Sequence, residues 1–125
     1  MSDINSLSLT DALQRIRDRA KEIDNTRVYI CLKKMRFKPV SIKAVENLKV
    51  LIALNEFNVP TTSYLFNVIR GAETNSGNGL TILHAFGDKK VLTLKRSEEH
   101  KRGNLHSWIL SDAFKQYYYG KEEGK

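Results

Sequence analysis

Lysine and arginine are concentrated in two stretches of the sequence. Residues 27–49 contain seven basic residues and one acidic residue, and residues 89–102 contain six basic residues and two acidic ones. The whole chain carries a net charge of +7, and its remaining parts are close to neutral. Because ammonium and guanidinium groups release the counterions condensed on phosphate, this distribution favours a polyanionic partner such as nucleic acid.

Patterns for catalysis or metal binding are weak by comparison. Cys31 is the only cysteine and the three histidines are scattered, so no zinc site with ordinary ligand spacing is indicated. The GNG tripeptide at 77–79 lacks the third glycine of a phosphate-binding loop, and no serine lies in a GxSxG setting. We therefore expect a protein that is not an enzyme and that uses no metal or cofactor.

Length and composition are those of one globular domain spanning residues 1–125. The residues are 41% hydrophobic and 28% charged, which argues against wholesale disorder. The longest apolar run, Val50 to Leu54, has five residues, whereas a membrane helix needs about 20. No secretory signal is visible at the N-terminus, and the lone Cys31 cannot form an internal disulfide, so we expect a cytoplasmic protein.

An amphipathic helix is predicted over residues 8–24. Its apolar residues recur at spacings of 4, 3, 4 and 3, which is the pattern of one helical face. Two interpretations stay open at this point: the helix lies on its own domain's core, or it forms a two-heptad dimer seam. The residues of this stripe are Leu9, Leu13, Ile16, Ala20 and Ile23.

Further elements follow along the chain. Thr26–Leu32 (TRVYICL) is rich in β-branched and aromatic residues and predicts a short strand. A strong helix is expected from Ser41 to about Phe57, and another from residue 61 or 62 to 70. The next helix, at about 76–86, is predicted to turn Leu80, Leu83 and Phe86 towards the core.

The last part of the chain predicts a hairpin and a helix. VLTLKR (91–96) and LHSWIL (105–110) alternate in polarity and are joined by the polar, basic SEEHKRGN, which is typical of an antiparallel hairpin. A final helix should begin after Ser111, and residues 120–125 should form a frayed tail. The expected fold class is therefore α+β.

From Ser41 to about Tyr119, this order of elements resembles the winged helix-turn-helix domains of bacterial and archaeal regulators of the MarR/PadR type. VPTTSYLFNVI is similar to their second helix, GDKKVLTLKR to the GxV strand that leads into the wing, and ILSDAFKQYY to the "xLTxxGxxYL" segment that leads out of it. One departure is the SGNG segment at 76–79, where the recognition helix should begin. Glycine costs about 1 kcal/mol inside a helix, so that helix is expected to begin late, near Gly79.

The resemblance implies how DNA would be contacted. A recognition helix lies in the major groove and reads base edges with its outward side chains. Its N-terminal residues, the start of the second helix and the wing would hold the phosphate backbone. The implied recognition-helix residues are Ser76, Asn78, Thr81 and His84. The implied backbone contacts are Thr62, Ser63, Tyr64, Lys95, Arg96, Lys101 and Arg102.

Each of these residues also has an ordinary structural interpretation. His84 would then be a surface residue, Ser76 and Asn78 turn residues, and the lysines and arginines a solvated face. Tyr117 and Tyr118 are interpreted as packing or dimer contacts. The dimer interface expected from the sequence therefore combines the two tyrosines with the stripe of the first helix.

The function expected from these observations is sequence-specific binding of double-stranded DNA by a homodimeric, nucleoid-associated transcriptional regulator. One alternative is the site-binding or DNA-coating component of a plasmid or viral DNA segregation system, which the PadR-like resemblance also fits. Another is a winged-helix protein-interaction module whose basic patches meet an acidic partner protein.

Overall fold

The computed structural model describes residues 8–38, 40–70, 77–97 and 105–120. Within these ranges the fold is α+β, as expected, with six helices and one two-stranded antiparallel sheet. Of the helices in this part of the chain, none is both long enough and apolar enough to cross a lipid bilayer. The elements are α1 (Leu9–Glu22), α2 (Asn25–Lys34), α3 (Ile42–Glu56), α4 (Ser63–Arg70), α5 (Gly77–Asp88), β1 (Leu92–Ser97), β2 (Leu105–Leu110) and α6 (Asp112–Tyr119).

Helix α1 packs against α3 in the core of its own chain. The Ser8 side chain accepts a hydrogen bond from the Asp11 amide and caps the helix. Ile16, Ala20 and Ile23 are all buried, and α1 contacts α3 and α4. These three residues therefore pack within their own chain, which corresponds to the first of the two interpretations of this helix.

The predicted strand at Thr26–Leu32 is wrong, because these residues lie within helix α2. The Asp24 side chain accepts a hydrogen bond from the Thr26 amide (3.1 Å) and starts the helix. Val28, Cys31 and Leu32 are buried, and their i, i+3, i+4 spacing is that of one helical face. Capping and burial therefore outweigh the β-propensity of the side chains.

Helix α3 is the centre of the fold, and it forms where the sequence predicted a strong helix. Ser41 caps it by accepting a hydrogen bond from the Ala44 amide (3.0 Å). The helix contacts α1, α2, α4 and β2, so its apolar residues are covered from several directions. Those buried in α3 are Val45, Leu48, Leu51, Ile52, Ala53 and Leu54.

The α4–α5 pair differs from expectation in how α5 begins and which way it faces. Thr62 caps α4 through a hydrogen bond from the Leu65 amide (3.1 Å). Helix α5 begins at Gly77 and not near Gly79. Leu80, expected to point inwards, is 45% exposed, whereas Leu83 and Phe86 are buried. The buried face of α5 is therefore formed by Gly79, Leu83 and Phe86.

The hairpin has the predicted antiparallel form. Its register runs from Leu92 opposite Leu110 to Ser97 opposite Leu105. A separate bridge pairs Thr61, just before α4, with Trp108 of β2. Helix α6 follows directly, so the hairpin lies between α5 and α6 in the chain. The basic connection between the two strands lies outside the described residues.

Candidate nucleic-acid interface

Helices α4 and α5 approach closely at Gly79, where an added Cβ atom would require the Asn67 side chain to shift. A Cβ atom at Gly79 would lie 2.7 Å from Cγ of Asn67, a buried residue of α4. The Arg70 guanidinium lies 4.8 Å from the centroid of the Phe66 ring and donates a hydrogen bond to Asn67 Oδ1 (3.4 Å). Burial lowers the pKa of Arg70, although a guanidinium stays protonated in proteins. The glycine that looked unfavourable for a helix is what lets the two helices approach closely.

The outward face of α5 carries short, mostly uncharged side chains. Leu80, Thr81, His84 and Ala85 are exposed, on the side of the helix away from Leu83 and Phe86. This set combines methyl groups, a hydroxyl and an imidazole, which are suited to base edges. The only acidic residue in the sequences of α4 and α5 is at the end of α5, so the rest of this face does not repel phosphate.

Trp108 of β2 holds α5 against the hairpin. A Cβ atom at Gly87 would lie 2.6 Å from Cζ3 of Trp108, so the indole lies directly against the backbone of α5. The His84 ring meets the indole edge-to-face, with centroids 5.2 Å apart. The Trp108 backbone exchanges two hydrogen bonds with Thr61 (3.0 and 2.7 Å). One residue thereby joins the beginning of α4, the C-terminal half of α5 and the hairpin.

Ser111 fixes the other end of the same unit. Its hydroxyl donates to the Lys90 carbonyl (2.6 Å), and its amide donates to the Val91 carbonyl (2.9 Å). Its side-chain oxygen also accepts a hydrogen bond from the Phe114 amide (3.0 Å), which caps α6. The turn after α5, the end of β2 and the start of α6 are therefore tied at one buried serine.

The residues predicted to contact the DNA backbone differ in how accessible they are. The Thr62 hydroxyl is already engaged as the cap of α4, and Ser63 is partly buried. Tyr64 is 77% exposed and projects from the first turn of α4. Lys95, in β1, is exposed. Tyr64 and Lys95 therefore remain the more accessible candidates for phosphate contact.

Several predicted residues are described only in part or lie outside the described ranges. Ser76, Lys101 and Arg102 lie outside the described residues, and for Asn78 and Arg96 only the backbone is described, in α5 and β1. Of the remaining dimer candidates, Leu9 and Tyr117 are exposed, Leu13 is partly buried, and Tyr118 is buried in the chain's own core. Dimerisation itself stays a prediction.

Two arginines of α1 hold other elements in place. Arg17 donates to the carbonyls of Ile69 (2.9 Å) and Val68 (3.0 Å), in the last turn of α4. Arg19 forms a two-pronged hydrogen bond with the carboxylate of Glu56 in α3 (2.6 and 3.1 Å). Neither role was foreseen from the sequence. The role of Arg17 could not be recognised in the sequence, because its partners are backbone carbonyls, which every residue has.

The basic stretch at 27–49 divides into engaged and exposed residues. Arg27 donates to the Tyr118 carbonyl at the end of α6 and stacks on the Tyr118 ring. Lys49 donates to Asn25 Oδ1 (2.7 Å). The exposed members are Lys33, Lys34, Arg36, Lys38 and Lys43.

Cys31 is the one cysteine, and its thiol is buried. Burial raises the pKa of that thiol, which disfavours the reactive thiolate. Among the described residues, no group of three or more histidine, cysteine, aspartate or glutamate side chains lies close enough to hold a metal ion.

Comparison of the chain with known protein families, with curated proteins and with solved structures finds no match. Its function is therefore inferred from its residues and their geometry.

Proposed function

We propose that this chain is a sequence-specific, double-stranded DNA-binding protein of the winged helix-turn-helix type. In this proposal α4 and α5 are the helix-turn-helix, α5 is the recognition helix, and the β1–β2 hairpin is the wing. A regulator of transcription is the function we infer from such binding, with two copies reading two half-sites. The observation that carries the proposal is the outward face of α5, which is exposed while the helix itself is packed against its neighbours.

The order and pairing of the elements support this assignment. A short bridge at Thr61 precedes α4 and pairs with β2, so the beginning of the two-helix unit is anchored to the hairpin. Helix α5 contacts both α4 and β1. A helix that reads DNA has to be held rigidly with respect to its phosphate-binding neighbours. The close approach of α5 to Asn67 at Gly79 and to Trp108 at Gly87 is consistent with this requirement.

The chemistry of the α5 face fits the major groove. The methyl groups of Leu80 and Thr81 can contact the 5-methyl group of thymine, and the Thr81 hydroxyl and the His84 imidazole can hydrogen-bond to base edges. Exposed lysines flank the helix in the turn that follows it and in β1. Such lysines add affinity for phosphate without sequence preference.

The test is to select preferred duplexes from a random library and to measure the affinity of α5 variants for them. Thr81→Ala and Leu80→Ala should each cost about 1–3 kcal/mol on the preferred duplex and little on random DNA. Both side chains are exposed, so thermal unfolding should change little. Thr10→Ala, the same substitution on an exposed position of α1, is the matched control and should bind like the wild type.

Two results would contradict the proposal. The first is that selection enriches no duplex over random sequence. The second is that the Thr81 and Leu80 variants remain folded and bind the preferred duplex as tightly as the wild type.

A further inference from the structure

Two lysines of α2 lie over exposed tyrosine rings. The Lys33 ammonium is 5.7 Å from the centroid of the Tyr29 ring, one turn earlier in the same helix. The Lys34 ammonium is 5.8 Å from the centroid of the Tyr117 ring in α6. All four side chains are exposed. We call this set of four residues the α2–α6 surface.

The positive charge of α2 and of the segment after it is not balanced by acidic residues in the same stretch of sequence. No acidic residue occurs between Asp24 and Glu46, and Asp24 is engaged as the cap of α2. Within the described part of the chain, neither lysine forms a salt bridge with a carboxylate. Arg36, which follows α2, is exposed and extends the positive region. The arrangement complements a polyanion.

The tyrosine rings prepare the lysines for such a ligand. A free lysine side chain loses much rotational freedom when it is held against a phosphate. An aromatic face attracts the ammonium and restricts it beforehand, while leaving N–H groups available for hydrogen bonds to phosphate oxygens. A cation–π pair therefore differs from a salt bridge, because it holds the charge without neutralising it.

The α2–α6 surface is separate from the outward face of α5. Phe37, three residues beyond the end of α2, stacks on Phe86 with ring centroids 4.9 Å apart. Phe86 belongs to the buried side of α5, whereas Leu80 and Thr81 are exposed on the other side. The segment that follows α2 thus contacts α5 on its core side, and the α2–α6 surface is formed by elements other than α5.

We propose that the α2–α6 surface binds the phosphate backbone of a second DNA duplex, so that one chain holds two duplex segments at once. The inference rests on the proposed function for the first duplex, which α5 reads. The second contact is to phosphate and is therefore independent of sequence.

A capture experiment tests this inference. The preferred duplex is fixed to beads, the protein is added, and recovery of a fluorescent random duplex is measured over a range of salt concentrations. The double variant Lys33→Gln, Lys34→Gln should keep its affinity for the fixed duplex and lose about tenfold or more in capture of the second one. The slope of the logarithm of the capture affinity against the logarithm of the salt concentration should also be smaller by about two, because each of the two lost phosphate contacts contributes about 0.9 to it.

Two controls test whether the position of the charge and the presence of the aromatic ring matter for capture. Arg15→Gln with Lys21→Gln removes the same charge from exposed positions of α1 and should capture like the wild type. Tyr117→Phe keeps the aromatic ring and should retain capture, whereas Tyr117→Leu removes the ring and should weaken it.

The possible failures are distinguishable. If the lysine double variant captures the second duplex as well as the wild type does, as a bridging homodimer would, the inference is overturned and the proposed function stands. If that variant loses the fixed duplex too, while Thr81→Ala binds normally, α2 is the primary DNA surface and both assignments are wrong. If the wild type binds polyglutamate but no duplex, the partner is an acidic protein and both fail.

Discussion

Helices α1 and α2 both carry several cations, are both amphipathic and both pack on α3, yet they use their cations differently. Arg17 and Arg19 of α1 contact carbonyls of α4 and the Glu56 carboxylate. Lys33 and Lys34 of α2 lie on exposed tyrosine rings. The planar guanidinium suits fixed, two-pronged contacts, and the flexible ammonium suits a solvated surface. The net charge of +7 is thus an unreliable measure of how many cations can meet a polyanion.

The largest effect is expected from removing Arg17. Arg17→Ala leaves two carbonyls at the end of α4 without their charged donor, which should lower the free energy of unfolding by about 2–3 kcal/mol. Since α4 carries α5, affinity for DNA should fall as well. Urea unfolding followed by circular dichroism measures the loss of stability. Arg17→Lys keeps the charge but lacks the planar guanidinium that reaches both carbonyls, so it should recover only part of that stability. A fully stable Arg17→Ala variant would mean that α1 does not hold α4.

A smaller effect is expected for the pair of Arg19 and Glu56. Their side chains are 38% and 27% exposed, so solvent screening limits the interaction to about 1 kcal/mol. A double-mutant cycle with Arg19→Ala and Glu56→Ala measures this coupling directly. A coupling energy near zero would place Arg19 with the solvated cations of α2 and weaken the contrast between the helices.

The smallest effect on stability is expected at α2. Lys33→Gln and Lys34→Gln each remove one exposed cation–π contact, which should cost about 0.5 kcal/mol. Urea unfolding of the two single variants checks this value. Destabilisation by Lys34→Gln as large as that of Arg17→Ala would show that Lys34 mainly fastens α6 to α2, and that its part in binding is secondary.

The elements that could be predicted from the sequence are those with a strong apolar period or a clear cap. The α1 stripe, the Ser41 cap and the alternation of the hairpin all correspond to observed elements. Helix α2 was missed because the β-branched and aromatic residues in Thr26–Leu32 concealed the helical spacing of Val28, Cys31 and Leu32. Asp24 is the cap that starts α2, and this role was not predicted from the sequence.

The candidate site was less predictable, because its geometry depends on contacts distant in the chain. Gly79 lies on the buried face of α5, next to Asn67 of α4, and Leu80 faces outwards. Apolar periodicity does not reveal a buried glycine, because glycine has no apolar side chain. Thr81 and His84 were assigned to the exposed face, and they are exposed. The contact of His84 with Trp108 pairs residues from two separate elements, so neither local sequence indicates it.

Trp108 is the only tryptophan in the chain, and it lies between the hairpin and α5 against Gly87 and His84. Its indole is therefore a built-in fluorescent reporter for the seating of the helix that we propose reads DNA. Fluorescence emission from selectively excited tryptophan therefore reports on this one position, next to the outward face of α5. Undocking of α5 would expose the ring to water and shift its emission to longer wavelength, so docking of this helix can be followed without attaching a dye.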